Sequence, residues 1–158
     1  MPRRASWVAS FAVIAAACSS PAAPAAPPAP TPAPTWTVAD SDACATADLQ
    51  LLNWDDDVGA TAYALYYSDL GDVATARKQA GAAAVKYAAL VKKMKVPVDV
   101  RDELATVEST LTAAATAFKG KETQAQFKAT FGTIVDAFQA FDDGCTNIEN
   151  WVTQNVPQ

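Results

Sequence analysis

From about Asp40 onward, apolar residues return at intervals of three and four, the period of a helix that buries one face. In the first stretch they are Ala47, Leu51, Trp54, Val58, Ala62 and Leu65, and the stretch stops at Leu70-Gly71, where glycine suits a helix C-cap. The second runs from Asp72 with Val73, Ala76, Ala80, Ala84, Tyr87, Val91 and Met94 on one face. Lys92, Lys93 and Lys95 follow as cations at the helix C-terminus, before Pro97. The third opens at Asp99 with Asp102 in its first turn, carries Val100, Leu104, Val107, Leu111, Ala114 and Phe118, and closes at Gly120. The fourth begins with Thr123-x-x-Gln126, a capping-box pattern. Its seam is Phe127, Phe131, Ile134, Phe138, Phe141, Cys145, Ile148 and Val152. The expected helices are therefore about 42–69, 73–95, 99–118 and 123–154.

The fourth seam alternates four and three without a slip, so one helix is expected to continue through Asp142-Asp143-Gly144. An interior glycine costs only about 1 kcal/mol relative to alanine, which packing can offset. The alternative is a break at Gly144 and a short fifth helix. Loops of a few residues force neighbouring helices antiparallel. The chain thus reads as all-α, an up-down-up-down four-helix bundle over residues 36–158. There is no period-two alternation long enough for a sheet, and no internal repeat.

Cys44 lies one turn before Ala47 on the first seam, and Cys145 lies on the fourth. In an up-down bundle the start of helix one and the end of helix four share one end, so both sulfurs point inward at matching height. A disulfide between them would close a loop of about 100 residues, worth up to about 4.7 kcal/mol by chain entropy. The alternative is two free buried thiols.

Residues 1–17 read differently. Met1-Pro-Arg-Arg is a short basic segment, and Trp7 to Ala17 is an apolar run of about eleven residues, too short to cross a bilayer. It ends in Ile14-Ala15-Ala16-Ala17-Cys18, which resembles the lipobox of bacterial prolipoproteins. That resemblance implies cleavage before Cys18, lipidation of its thiol, and a lipid anchor at the outer face of the cell membrane. Ala15 stands where that pattern most often has leucine, and ordinary secretory cleavage after Ala17 is the alternative. The odd number of cysteines, three, is explained if Cys18 is lipidated and the other two pair.

Residues 18–35 are almost wholly Pro, Ala, Ser and Thr, a disordered tether of polyproline character. At about 3.1 Å per residue, Ser19 to Pro34 reaches roughly 50 Å. The tether and the alanine-rich domain are similar in style to exported lipoproteins of high-GC actinobacteria. The fourth helix overshoots the cysteine level and carries Ile148, Trp151 and Val152 beyond it. Thr35 to Ala39 is expected to cover that overhang, with Trp36 or Val38 touching Ile148 or Trp151. Lys92, Lys93, Lys95 and Arg101 are expected at the same end.

Composition narrows the chemistry. The chain is 51% hydrophobic, with alanine supplying much of that share. Without Arg3 and Arg4 the mature chain is acidic, which argues against nucleic acid as a partner. It has no histidine, so it lacks the commonest general base and transition-metal ligand. Cys145 therefore has no histidine to activate it as a nucleophile. No phosphate loop, Gly-x-Ser-x-Gly elbow or metal-ligand spacing occurs, so neither enzyme activity nor a cofactor is expected.

Three features remain. Asp55-Asp56-Asp57 offers oxygens to calcium, but consecutive helical carboxylates diverge by about 100°. It reads instead as a solvated face, with Asp48 level with Lys92 and Asp55 level with Lys86. Tyr63, Tyr66 and Tyr67 cluster near the end of the first stretch. They are either haem-competent phenols or rings packed against neighbouring helices. Together with Trp151 they form the candidate ligand or partner surface. The phenylalanines of the fourth helix face alanines, which makes either an apolar cavity or ordinary core packing. The expected role is a membrane-tethered binding or scaffold module with a protein or cell-wall partner. The alternative is a carrier of a small apolar ligand in the bundle interior.

Overall fold

The computed structural model describes residues 34–157. The expected signal peptide (1–17), Cys18 and nearly all of the expected tether (18–35) lie outside the described residues. The described chain is all-helical, with no strand among those residues. Six α-helices follow one another: α1 Val38–Leu52, α2 Trp54–Val58, α3 Ala60–Ser68, α4 Val73–Val91, α5 Arg101–Ala117 and α6 Gln124–Asn155. A single 3₁₀ turn, Val98–Val100, precedes α5.

The first expected helix, 42–69, is thus three helices and starts earlier. Thr37 caps α1 through a reciprocal box with Asp40, which places the helix start at Val38. Leu52 and Trp54 flank Asn53, where the helix kinks while the backbone stays right-handed. Gly59 then makes a true break, at φ 80° and ψ 155°, a conformation costly for any residue with a Cβ. The left-handed cap of α3 falls on Asp69 at φ 56°, not on Gly71 as the sequence implied.

The second helix stops at Val91 rather than 95, so Lys92 is its cap and Lys93 and Lys95 lie in the following loop. Asp99 belongs to the 3₁₀ turn and not to α5. The fourth expected helix is matched closely: Thr123 and Gln126 form the capping box, and α6 runs unbroken through Gly144. A Cβ at Gly144 would stand 2.9 Å from Cγ1 of Val100, so the glycine lets the 3₁₀ turn approach α6.

The helices close a ring. α1 packs on α6, α2 and α3 on α4, α4 on α5, and α5 on α6. The first segment and α6 run in opposite directions. Trp36 meets Trp151 and Cys44 meets Cys145 at one end, while Asp69 bonds Gln124 and Lys128 at the other. One core fills the interior, and its largest fully buried side chains include Trp54, Tyr87, Phe127, Phe131, Phe141 and Leu111. Such burial is worth roughly 1.5–3 kcal/mol per large apolar side chain before the entropy of folding is charged against it. No charged or polar residue is counted in that core.

Candidate functional site

α1 and α3 pack on α6, with α2 between them in the chain. They leave a groove of about 340 Å³ between α1–α3 and α6, open to solvent on one side. Its floor is apolar: Leu51, Trp54, Phe138 and Phe141. Leu52, Tyr63 and Tyr67 stand on its rim, with Leu52 and Tyr67 about two-thirds exposed, at 66% and 67%. Three carboxylates line it, Asp48, Asp55 and Asp142, and no lysine or arginine does.

The three tyrosines come together as expected. Tyr63 and Tyr67 stack with centroids 6.0 Å apart, and Tyr66 sits edge-on to Tyr67 at 4.7 Å. Tyr63 and Tyr66 both pack on Phe131, at 5.4 and 5.1 Å. The α6 phenylalanines therefore meet aromatic rings of the first segment as well as alanines. Trp54 extends the cluster, edge-on to Tyr87 at 5.4 Å and to Phe138 at 5.3 Å.

Trp151 does not belong to this group. It lies twenty residues beyond Phe131 on α6, about 30 Å away along the axis. Its partner is Trp36, whose ring meets it edge-on at 5.8 Å while its indole N–H donates to Asp99 at 2.9 Å. The entering chain therefore does cover the overhang, through Trp36; Val38 is half-exposed and takes no part in the described aromatic contacts.

The three adjacent aspartates diverge. Asp55 accepts from the Tyr63 hydroxyl, and Asp57 accepts from Lys86 at 2.6 Å and from the Tyr87 hydroxyl at 2.7 Å. Lys86 thus pairs with Asp57 and not Asp55. Desolvation, and then its bond to Asp55, hold the Tyr63 hydroxyl far above the usual phenol range, and Tyr87 behaves likewise against Asp57. Both stay protonated and donating. Among the described residues, no group of three carboxylates and cysteines has metal-binding geometry.

Asp48 does not meet Lys92. It is half-buried, and Asp142 and Glu149 of α6 face it. Burial first, then those two charges, push its carboxyl up to about 6. Asp48 and Asp142 lie one turn from Cys44 and Cys145 respectively, so the expected pairing of those cysteines already carried the signal that would bring these carboxylates together. The Trp54 indole N–H was also missed. The residue is 2% exposed, its N–H is closed off from solvent, and the group it is held against is the Tyr63 hydroxyl. Nothing in the sequence marks that contact.

Cys44 and Cys145 are fully buried with their sulfurs 2.5 Å apart, and they are unbonded in this structure, where a disulfide would need about 2.05 Å. Burial pushes both thiols up, Cys145 furthest because Cys44 lies against it. No described helix is long and apolar enough to cross a membrane. Comparison with protein-family models, with curated proteins and with solved structures finds no match.

Proposed function

We propose that the chain is an exported lipoprotein, cut before Cys18, lipidated there, and held at the outer face of the cell membrane as a binding module. Its domain is an up-down-up-down four-helix bundle closed by a Cys44–Cys145 disulfide. It meets a protein or cell-wall partner through the groove between α1–α3 and α6. Catalysis has no part in this role.

The observation that carries the role is the groove itself: an aromatic and aliphatic surface, left partly exposed, with acidic groups and no cation in its lining. Exposed aromatics beside an apolar floor are what an anchoring surface for a partner requires. Three further facts support the wider reading. The opposed ends of the first segment and α6 fit the up-down order. The adjacent buried sulfurs fit a bond formed in an oxidising compartment. Trp36, pinned at the domain's edge, fits a point where a tether pulls. The carrier reading draws no such support, because Trp54, Phe131 and Phe141 fill the interior.

Photoreactive residues placed singly at Leu52 and Tyr67, with Ser109 on α5 as the control, test the role in cells of the native host. The same discrete adduct from positions 52 and 67, absent from 109, is expected. No adduct from the groove positions, or equal adducts from all three, would refute it.

A further inference from the structure

Building on that reading of the groove, we infer that its partner is a peptide segment presenting a lysine or arginine side chain beside apolar residues.

Charge complementarity comes first. Asp48, Asp55 and Asp142 line the groove with no cation among its walls, and Glu149 adds its field from two turns beyond Asp142. The two salt bridges among the described residues, Lys86–Asp57 and Lys128–Asp69, lie elsewhere. Asp48 and Asp142 therefore repel each other across the groove until a cation arrives. The walls suit a cation with an aliphatic stem. Leu51, Leu52 and Phe138 offer apolar surface to methylenes, as long basic side chains need. The stacked Tyr63 and Tyr67 rings offer π faces to the charged end.

The exposed rim of the groove distinguishes a peptide from a simple amine. A peptide brings apolar side chains to Leu52 and Tyr67 together with the cation; a simple amine brings the cation alone. The groove's volume of about 340 Å³ sits at the small end of ligand sites. It accommodates one or two side chains, with the rest of the segment left on the open side.

The test uses the full chain carrying Cys18→Ala and three peptides of one length, alternating leucine with lysine, glutamine or glutamate. Binding is followed by the Trp54 indole resonance and by affinity at low and high salt. The lysine peptide is expected to bind, to move that resonance, and to weaken as salt rises. Asp48→Asn with Asp142→Asn should weaken it about fivefold. These substitutions keep side-chain shape and remove a repulsion, so loss of folding does not confound them. Equal binding of the glutamine peptide, equal movement of the resonance by dodecyltrimethylammonium, an unchanged affinity in the double variant, or no binding of the lysine peptide would each overturn the assignment. Groove-specific crosslinks without lysine-peptide binding would remove the ligand class alone; absence of both would remove the groove as a site.

Discussion

Replacing Gly144 with alanine should destabilise this domain, although the same change in an ordinary helix interior stabilises by about 1 kcal/mol. Gly144 sits in the middle of α6 with helical geometry, so the propensity gain is available. Against it stands the new Cβ, 2.9 Å from Cγ1 of Val100 and 3.8 Å from its Cβ. Real side chains essentially never pack so closely, and Val100 cannot swing aside. It is β-branched and stiff about χ1, it is 2% exposed, and it belongs to the 3₁₀ turn that launches α5. Overpacking of this kind costs about 1–3 kcal/mol. The net expectation for Gly144→Ala is a loss of about 1 kcal/mol. In a Val100→Ala background the obstructing methyl is gone, and the same change should gain about 1 kcal/mol, a coupling of about 2 kcal/mol. Gly132→Ala is the internal control: its Cβ would meet the Tyr66 hydroxyl at 3.3 Å, the end of a side chain that can shift, so a gain of up to about 1 kcal/mol is expected. Urea unfolding of the four proteins of the cycle and of Gly132→Ala, followed by circular dichroism, measures all these differences. If Gly144→Ala stabilises both backgrounds equally, the close approach of the 3₁₀ turn to α6 is wrong.

Other consequences can be checked on the same domain. Oxidised protein should exceed the Cys44→Ala, Cys145→Ala double variant in unfolding free energy by about 2–4 kcal/mol, and reductant should erase the difference. Asp48 has its folded pKa raised to about 6, so its contribution is whole below the unfolded carboxylate value and is lost as pH rises through about 6. Asp48→Asn should therefore remove a fall in stability between about pH 4 and pH 6. At pH 7 it should gain about 1 kcal/mol, since solvent screening leaves only part of the full shift. Trp36→Ala removes an edge-on contact with Trp151 and a bond to Asp99, and should cost about 1–2 kcal/mol while speeding amide exchange at the end of α6.

What the sequence conveyed differs from one segment to the next for a physical reason. The seam of α6 specified one continuous helix because a capping box starts it and a regular stripe runs its length. The stripe Ala47, Leu51, Trp54, Val58, Ala62, Leu65 was equally regular, and all six residues are buried. Yet three helices carry them, because periodicity reports which face is buried and not whether the hydrogen-bond ladder is continuous. Gly59 keeps the buried face in phase while ending the ladder. The ion pairs also differ from those a single helix predicts. A straight helix puts Asp55 beside Lys86; the kinked one puts Asp57 there and leaves Asp48 facing Asp142 and Glu149. The tyrosine cluster was legible because its members lie within one turn of each other. The acidic lining of the groove was not, because it is assembled from α1, α2 and α6, which lie far apart in the chain.

Intact mass measurement of the protein extracted from the membranes of its own host tests the central proposal most directly. The expected species begins at Cys18, carries a diacylglyceryl group there, and is lighter by two hydrogens for the Cys44–Cys145 bond. It should partition with detergent, and Cys18→Ala should abolish both the acyl mass and the partitioning. A soluble, unacylated species, or one retaining residues 1–17, would contradict the tethered module.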